Sequence, residues 1–150
     1  MLFMKRAFLF AFVMFLSHGI LAGAVDAGNQ EKEKVVYHIN IDDTKVLNTA
    51  MKTIQNHLNA VSTNNLDLRV VLHGDGIALL LLTNGDPTLQ DKVKKLKRQG
   101  VRFIVCNNTL QSRKINFNKD LYDVSEEDIV PSGVAEIARL QSQGFSYVKP

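Results

Sequence analysis

Cys106 is the only cysteine in the 150-residue chain, and it stands where a thiol can be made reactive. It closes the apolar run Val101-Arg102-Phe103-Ile104-Val105 and is followed by Asn107, Asn108 and Thr109. The run suits a buried strand. The three residues after it are helix-capping or turn types. That order predicts a cysteine at the carboxyl end of a strand and at the amino end of a helix. Free N–H groups and the helix dipole stabilise a thiolate there. The chemistry such a group offers is nucleophilic attack, by sulfur on sulfur or carbon.

The other candidates lie in Leu72-His73-Gly74-Asp75-Gly76. His73 can pair with Cys106 and favour its thiolate, or it can simply hydrogen-bond nearby backbone. Asp75 can orient His73 or bind a cation, but between two glycines it also reads as a turn residue. Gly74 and Gly76 resemble a fragment of a phosphate loop that lacks the Lys-Ser/Thr of that motif. Arg113 falls within the turns after Cys106 and can add positive charge if it folds back toward the sulfur. Cys106 itself also has a plain reading, as a small buried apolar group. A single cysteine makes no intrachain disulfide and no Cys-x-x-Cys metal site, and the spacing of His73, Asp75 and Cys106 defines no metal site either. No cofactor motif is present.

The segments that position these groups alternate in type. Residues 35–41 read as a strand closed by Asp42, Asp43 and Thr44. Val46, Leu47, Ala50, Met51, Ile54, Leu58 and Val61 then recur at helical spacing, over about four turns. Leu68 to His73 is a second strand. Ile77 to Leu82 is apolar throughout and is expected to form a buried helical turn. Residues 88–99 form a helix with Leu89, Val93 and Leu96 inward and its lysines in solvent, ended by Gly100. After the Cys106 strand come a short helix over 109–116 and a polar stretch over 117–127. A short strand over 128–130, a helix opened by Pro131 and Gly133, and a last strand over 145–148 complete the chain. Such alternation, joined by short turns, predicts an α/β domain with a mainly parallel sheet of about five strands, covered on both faces.

The start of the chain reads differently. Met1 to Arg6 is a short basic segment, Ala7 to Leu16 is apolar, and Ala22-Gly23-Ala24 offers the small residues a signal peptidase reads. Residues 1–24 are therefore expected to be a signal peptide cleaved after Ala24, or as second choice after Ala27. The alternative is an uncleaved anchor, but Ser17, His18 and Gly19 interrupt a stretch that needs about 20 apolar residues to span. The mature protein is expected to be exported to the periplasm, with a flexible arm over 25–34 and a single domain over 35–150. The formal charge of +3 then largely disappears. Without Lys5 and Arg6 the 18 basic residues become 16 against 15 acidic, leaving +1. That excludes the strong basic excess of most nucleic-acid binders.

Four stretches together resemble the DsrE/DsrF-like family, the fold of the small sulfur-relay proteins. They are Val36-Tyr37-His38-Ile39-Asn40, Leu72 to Gly76, Gly100 to Leu110, and Val130 to Ile137 with Leu140 to Gly144 and the ending Tyr147-Val148-Lys149-Pro150. The resemblance implies a three-layer α/β/α fold and a homo-oligomer built on trimers. It places Cys106 where sulfur-carrying members hold their acceptor cysteine. Asn40, Gly74, Asp75, Gly76, Asn107, Asn108 and Thr109 become candidate binding residues around it. Two functions follow: an exported sulfur carrier or persulfide-transfer protein working with donor or acceptor proteins, or a non-catalytic module that holds a small ligand at the strand ends. The run Ile77–Leu82 is the expected contribution to an oligomer contact.

Overall fold

The computed structural model describes residues 31–150, so the expected signal peptide and most of the arm lie outside the described residues. Five strands form one parallel sheet in the order β4-β3-β2-β1-β5. They are β1 (Glu33–Ile39), β2 (Leu66–Leu72), β3 (Arg102–Cys106), β4 (Ile129–Val130) and β5 (Ser146–Val148). Glu33 pairs with Leu66, so the sheet begins two residues earlier than expected. Among the described residues the helices are α1 (Thr44–Val61), α2 (Ala78–Gly85), α3 (Pro87–Arg98), α4 (Asn107–Arg113), α5 (Phe117–Asp120) and α6 (Gly133–Ser142). None is long and apolar enough to cross a membrane.

Local chemistry sets the helix ends. The Asp43 carboxylate accepts the Val46 N–H at 2.9 Å and starts α1. Asp86 accepts the N–H groups of Thr88 and Leu89, with Pro87 in the first helical position of α3. Gly100, at φ +89°, turns the chain from α3 toward β3. Ser132 caps α6 by accepting the Ala135 N–H.

Period-2 alternation divides the core in two. Val35, Tyr37, Ile39, Leu68, Val70, Leu72, Phe103 and Val105 face one layer, where they pack with the inner faces of α1, α2, α3 and α4. Val36, Val71 and Ile104 face the other, against Ile137 and Leu140 of α6. The hand of the crossovers explains this division. From β1 through β4 the chain steps across the sheet in one direction, so right-handed connections put their helices on one face. From β4 to β5 it returns the other way, and the same hand puts α6 on the opposite face.

The run Ile77–Leu82 is helical and largely buried as expected, with Ile77, Leu79 and Leu80 in the core, so of its six residues only Leu81 and Leu82 reach the surface and are available for an oligomer contact. A helix buries one stripe, so six consecutive apolar residues cannot all face outward. The helix after β3 starts at Asn107 and not at Thr109, so Cys106 itself occupies the capping position. Asn107, Asn108 and Thr109 supply the first turn's N–H groups and do not cap it.

Candidate functional site

Cys106 ends β3 on the α6 face, since it shares the parity of Ile104. Here the strand exits diverge. β3 leads to α4 on one face, and β4 leads to α6 on the other. This is a topological switch point, the place where open α/β sheets form their ligand crevice. The amino ends of α4 and α6 therefore both reach the sulfur.

Glycine makes the approach of α6 possible. A Cβ on Gly133 would lie 3.0 Å from the His73 Cβ, 3.2 Å from the Cys106 Cβ and 3.4 Å from Val71 Cγ1. The helix start is thus seated directly on β2 and β3. A second close approach fixes the neighbouring loop: a Cβ on Gly76 would stand 2.0 Å from the Ile39 carbonyl oxygen. The need for glycine here is this contact and not phosphate binding.

The thiol is buried, with 5% of its surface exposed. Burial is the largest single influence and pushes its pKa up. The Gly133 N–H, the Thr109 hydroxyl and the N–H groups of Thr109 and Asn108 act against it, and together they hold the thiol below its ordinary value. Thr109 is well placed for this. Its hydroxyl oxygen accepts the Gly74 N–H at 2.9 Å, which leaves the hydroxyl proton free to point at sulfur. Asn108 gives least, because its N–H also lies 3.3 Å from the Pro131 carbonyl.

The other predicted residues take different parts. The strand register brings Leu72 beside Val105, so His73 lies next to Cys106 at the same sheet end. Its imidazole is nevertheless engaged with His38, Nε2 to Nε2 at 2.6 Å, with the rings stacked 4.7 Å apart. Burial, and then the Lys149 charge, lower its pKa. A neutral ring held this way is no cationic partner for the thiolate. Arg113 does not turn back to the sulfur either; its guanidinium is paired with the Asp75 carboxylate. Asp75 thereby orients Arg113 and not His73. Asn40 accepts a hydrogen bond from the Lys149 ammonium at 2.8 Å. Among the described residues no group of three or more His, Cys, Asp or Glu side chains is arranged to hold a metal ion.

Sequence reasoning missed His38, Tyr147 and Gly133. The Tyr147 hydroxyl lies 2.6 Å from His38 Nδ1, so Tyr147, His38 and His73 form a continuous hydrogen-bonded row beside the thiol. Burial first, then the nearby His73 and Lys149, lower the His38 pKa to about 4. A signal for the pair was present. His38 follows Val36 by two residues and His73 follows Val71 by two, which puts both rings on one face of adjacent strands.

A model of the DsrE/DsrF-like family matches residues 23–150. Among solved structures, the chain is similar to MTH1491, a protein of unknown function from Methanobacterium thermoautotrophicum. That match has 30% identity and a TM-score of 0.69 and covers 79% of this chain and 100% of the other. It is also similar in fold to the ychN protein from E. coli, at 19% identity and a TM-score of 0.62, over 79% of this chain and 99% of that one. No curated protein matches the chain.

Proposed function

We propose, on the premise that the chain belongs to the DsrE/DsrF-like family, that it is an exported sulfur carrier with Cys106 as the acceptor. The observation that supports this reading is the convergence of two helix amino ends and the Thr109 hydroxyl on the only thiol of the sequence. Such donors favour the thiolate, which is the nucleophile. In the loading step the Cys106 thiolate attacks the outer sulfur of a donor persulfide. A new S–S bond forms, the donor's S–S bond breaks, and the donor leaves as a thiolate. The sulfane sulfur moves without a change of oxidation state, so no external oxidant is required. An acceptor thiolate then attacks the outer sulfur, and Cys106 departs as thiolate. A lowered thiol pKa helps that second step, because the better-stabilised thiolate leaves faster.

The burial of Cys106 favours a second reading, in which the crevice holds a small ligand and the thiol only lines it. Incubation with a low-molecular-weight persulfide, followed by intact mass, separates the two. A gain of one sulfur atom, absent from Cys106→Ser, supports the carrier. An unchanged mass in a protein whose thiol still alkylates without denaturant supports the ligand module. Export is checked by amino-terminal sequencing of protein from the cell envelope: Val25 is the expected first residue, and an intact Met1 refutes cleavage. A homo-oligomer is the expected assembly, with Leu81 and Leu82 in its contact; light scattering that gives a monomer mass refutes it.

A further inference from the structure

Three side chains form a row beside Cys106 that the sulfur transfer itself does not use. The Tyr147 hydroxyl of β5 lies 2.6 Å from Nδ1 of His38 on β1, and His38 Nε2 lies 2.6 Å from Nε2 of His73, just past β2. The row climbs the sheet diagonally. Tyr147 is paired with Val36, two residues before His38, and His73 follows Val71, the partner of His38, by two. Its lower end is open, for Tyr147 is 42% exposed. Its upper end stands at the buried thiol. A Cβ on Gly133 would touch the Cβ atoms of His73 and Cys106 alike, so those two side chains leave the backbone side by side. Among the described residues His73 Nδ1 has no hydrogen-bond partner, and it is not sealed from solvent. It is therefore open to a group that enters the crevice.

We propose that this row is a proton relay for the thiol that unloads Cys106, a role that deepens the carrier reading and rests on it. Each ring nitrogen in the row either donates or accepts, so the row has two arrangements. In one, His73 Nδ1 is bare, His73 Nε2–H donates to His38, and His38 Nδ1–H donates to the Tyr147 oxygen. In the other every bond is reversed and His73 Nδ1 carries the proton. An acceptor thiol of ordinary pKa arrives protonated at neutral pH. As its sulfur attacks the outer sulfur of the Cys106 persulfide, its proton goes to His73 Nδ1. The Nε2 proton of His73 passes to His38, the Nδ1 proton of His38 passes to Tyr147, and the tyrosine proton passes to water. One proton enters, one leaves, and no imidazolium forms. Loading resets the row: the departing donor thiolate takes a proton from His73 Nδ1, and Tyr147 regains one from water. The lowered pKa values of both histidines keep the row neutral between steps. The other charged groups nearby are Lys149 after β5, the Asp75–Arg113 pair of the loop after β2 and the Glu136–Arg139 pair of α6. Lys149 is a cation and both carboxylates are held by arginines, which leaves His73 as the base for an entering thiol.

The test follows unloading against pH. The chain is loaded with a low-molecular-weight persulfide, checked by intact mass and mixed with glutathione. Loss of the extra sulfur is timed from about pH 6.5 to about pH 9.5, on both sides of a thiol's ordinary pKa of about 8.5. Tyr147→Phe removes the hydroxyl from an exposed ring, and His38→Gln breaks the row at its middle. Each should unload at least about tenfold more slowly than the parent at neutral pH, as loss of general base catalysis requires. Each should match the parent at the alkaline end, where glutathione enters as thiolate and brings no proton. A merely structural role would slow unloading equally at every pH, and that result overturns the relay. So does a profile unchanged in either variant. A parent chain that takes up no sulfur refutes the carrier and the relay with it, whereas normal loading with an unchanged unloading profile refutes the relay alone.

Discussion

Replacing Gly133 by alanine should disturb the thiol without touching it. The added methyl would lie 3.0 Å from the His73 Cβ and 3.2 Å from the Cys106 Cβ. Both are Cβ atoms bonded directly to the backbone, one ending β3 and one just past β2, so no side-chain rotation relieves the crowding. The start of α6 must lift from the sheet by a few tenths of an ångström. Overpacking of this kind costs about 1–3 kcal/mol. The same movement draws the Gly133 N–H away from sulfur, and that N–H is the first of the donors opposing burial. A hydrogen bond to a charged group contributes about 1.5–3 kcal/mol. At about 1.4 kcal/mol per pKa unit, full loss raises the thiol midpoint by about 1–2 units, and a stretched bond by a fraction of that. Alkylation rate against pH reads the midpoint, and thermal melting reads the packing cost. A lower melting temperature with an unmoved midpoint refutes the role of the N–H. An unchanged melting temperature refutes the close contact.

Three further outcomes follow from the same contacts. Thr109→Val keeps the shape but removes the hydroxyl between the Gly74 N–H and the sulfur, so the alkylation midpoint should rise and stability should fall by about 1–3 kcal/mol, with Thr109→Ser restoring much of both. Gly76→Ala places a methyl 2.0 Å from the Ile39 carbonyl oxygen, and should cost at least about 3 kcal/mol, read as loss of soluble protein or a collapse of the denaturation midpoint. His38 and His73 both have pKa values lowered from the ordinary 6.5, His38 to about 4, so their neutral forms are favoured in the fold. The unfolded chain then binds more protons below pH 6.5. Stability from this pair is fully present above 6.5 and is lost as pH falls toward 4. Denaturant midpoints across that window should decline, and His38→Gln should flatten the decline; a slope unchanged in the variant refutes the assignment.

The sequence pattern foretold what depends on neighbours along the chain. The position of Cys106 at a strand end followed from four apolar residues and three capping types. The alternation of strands with amphipathic helices was enough for a parallel sheet. What depends on which strands become neighbours was not legible. Gly133 is 27 positions from Cys106, and nothing local to either residue announces their contact. The His38–His73 pair needs the register of β1 on β2, and the Tyr147 hydroxyl bond needs β5 beside β1. Arg113 was misjudged for a related reason. Its distance along the chain allowed it to reach the sulfur, but Asp75, brought near by the pairing of β2 with β3, takes the guanidinium instead.

Strand order also explains why the donors around Cys106 come from two directions. Had α4 and α6 lain on one face, packing would have held their axes about 8–10 Å apart, and only one helix start could stand over a given strand end. The reversal from β4 to β5 removes that restriction by putting the two helices on opposite sides of the sheet. Their first turns then approach the same atom from either side, with Thr109 contributed by one and Gly133 by the other. Because a sulfur anion accepts hydrogen bonds over a wide range of directions, it can use both sets together. Burial keeps water from competing with them, and the same short-range donors offset the charge penalty that burial imposes. The result is a thiol that is shielded and still inclined to ionise, a combination set by the hand of a crossover at the far edge of the sheet.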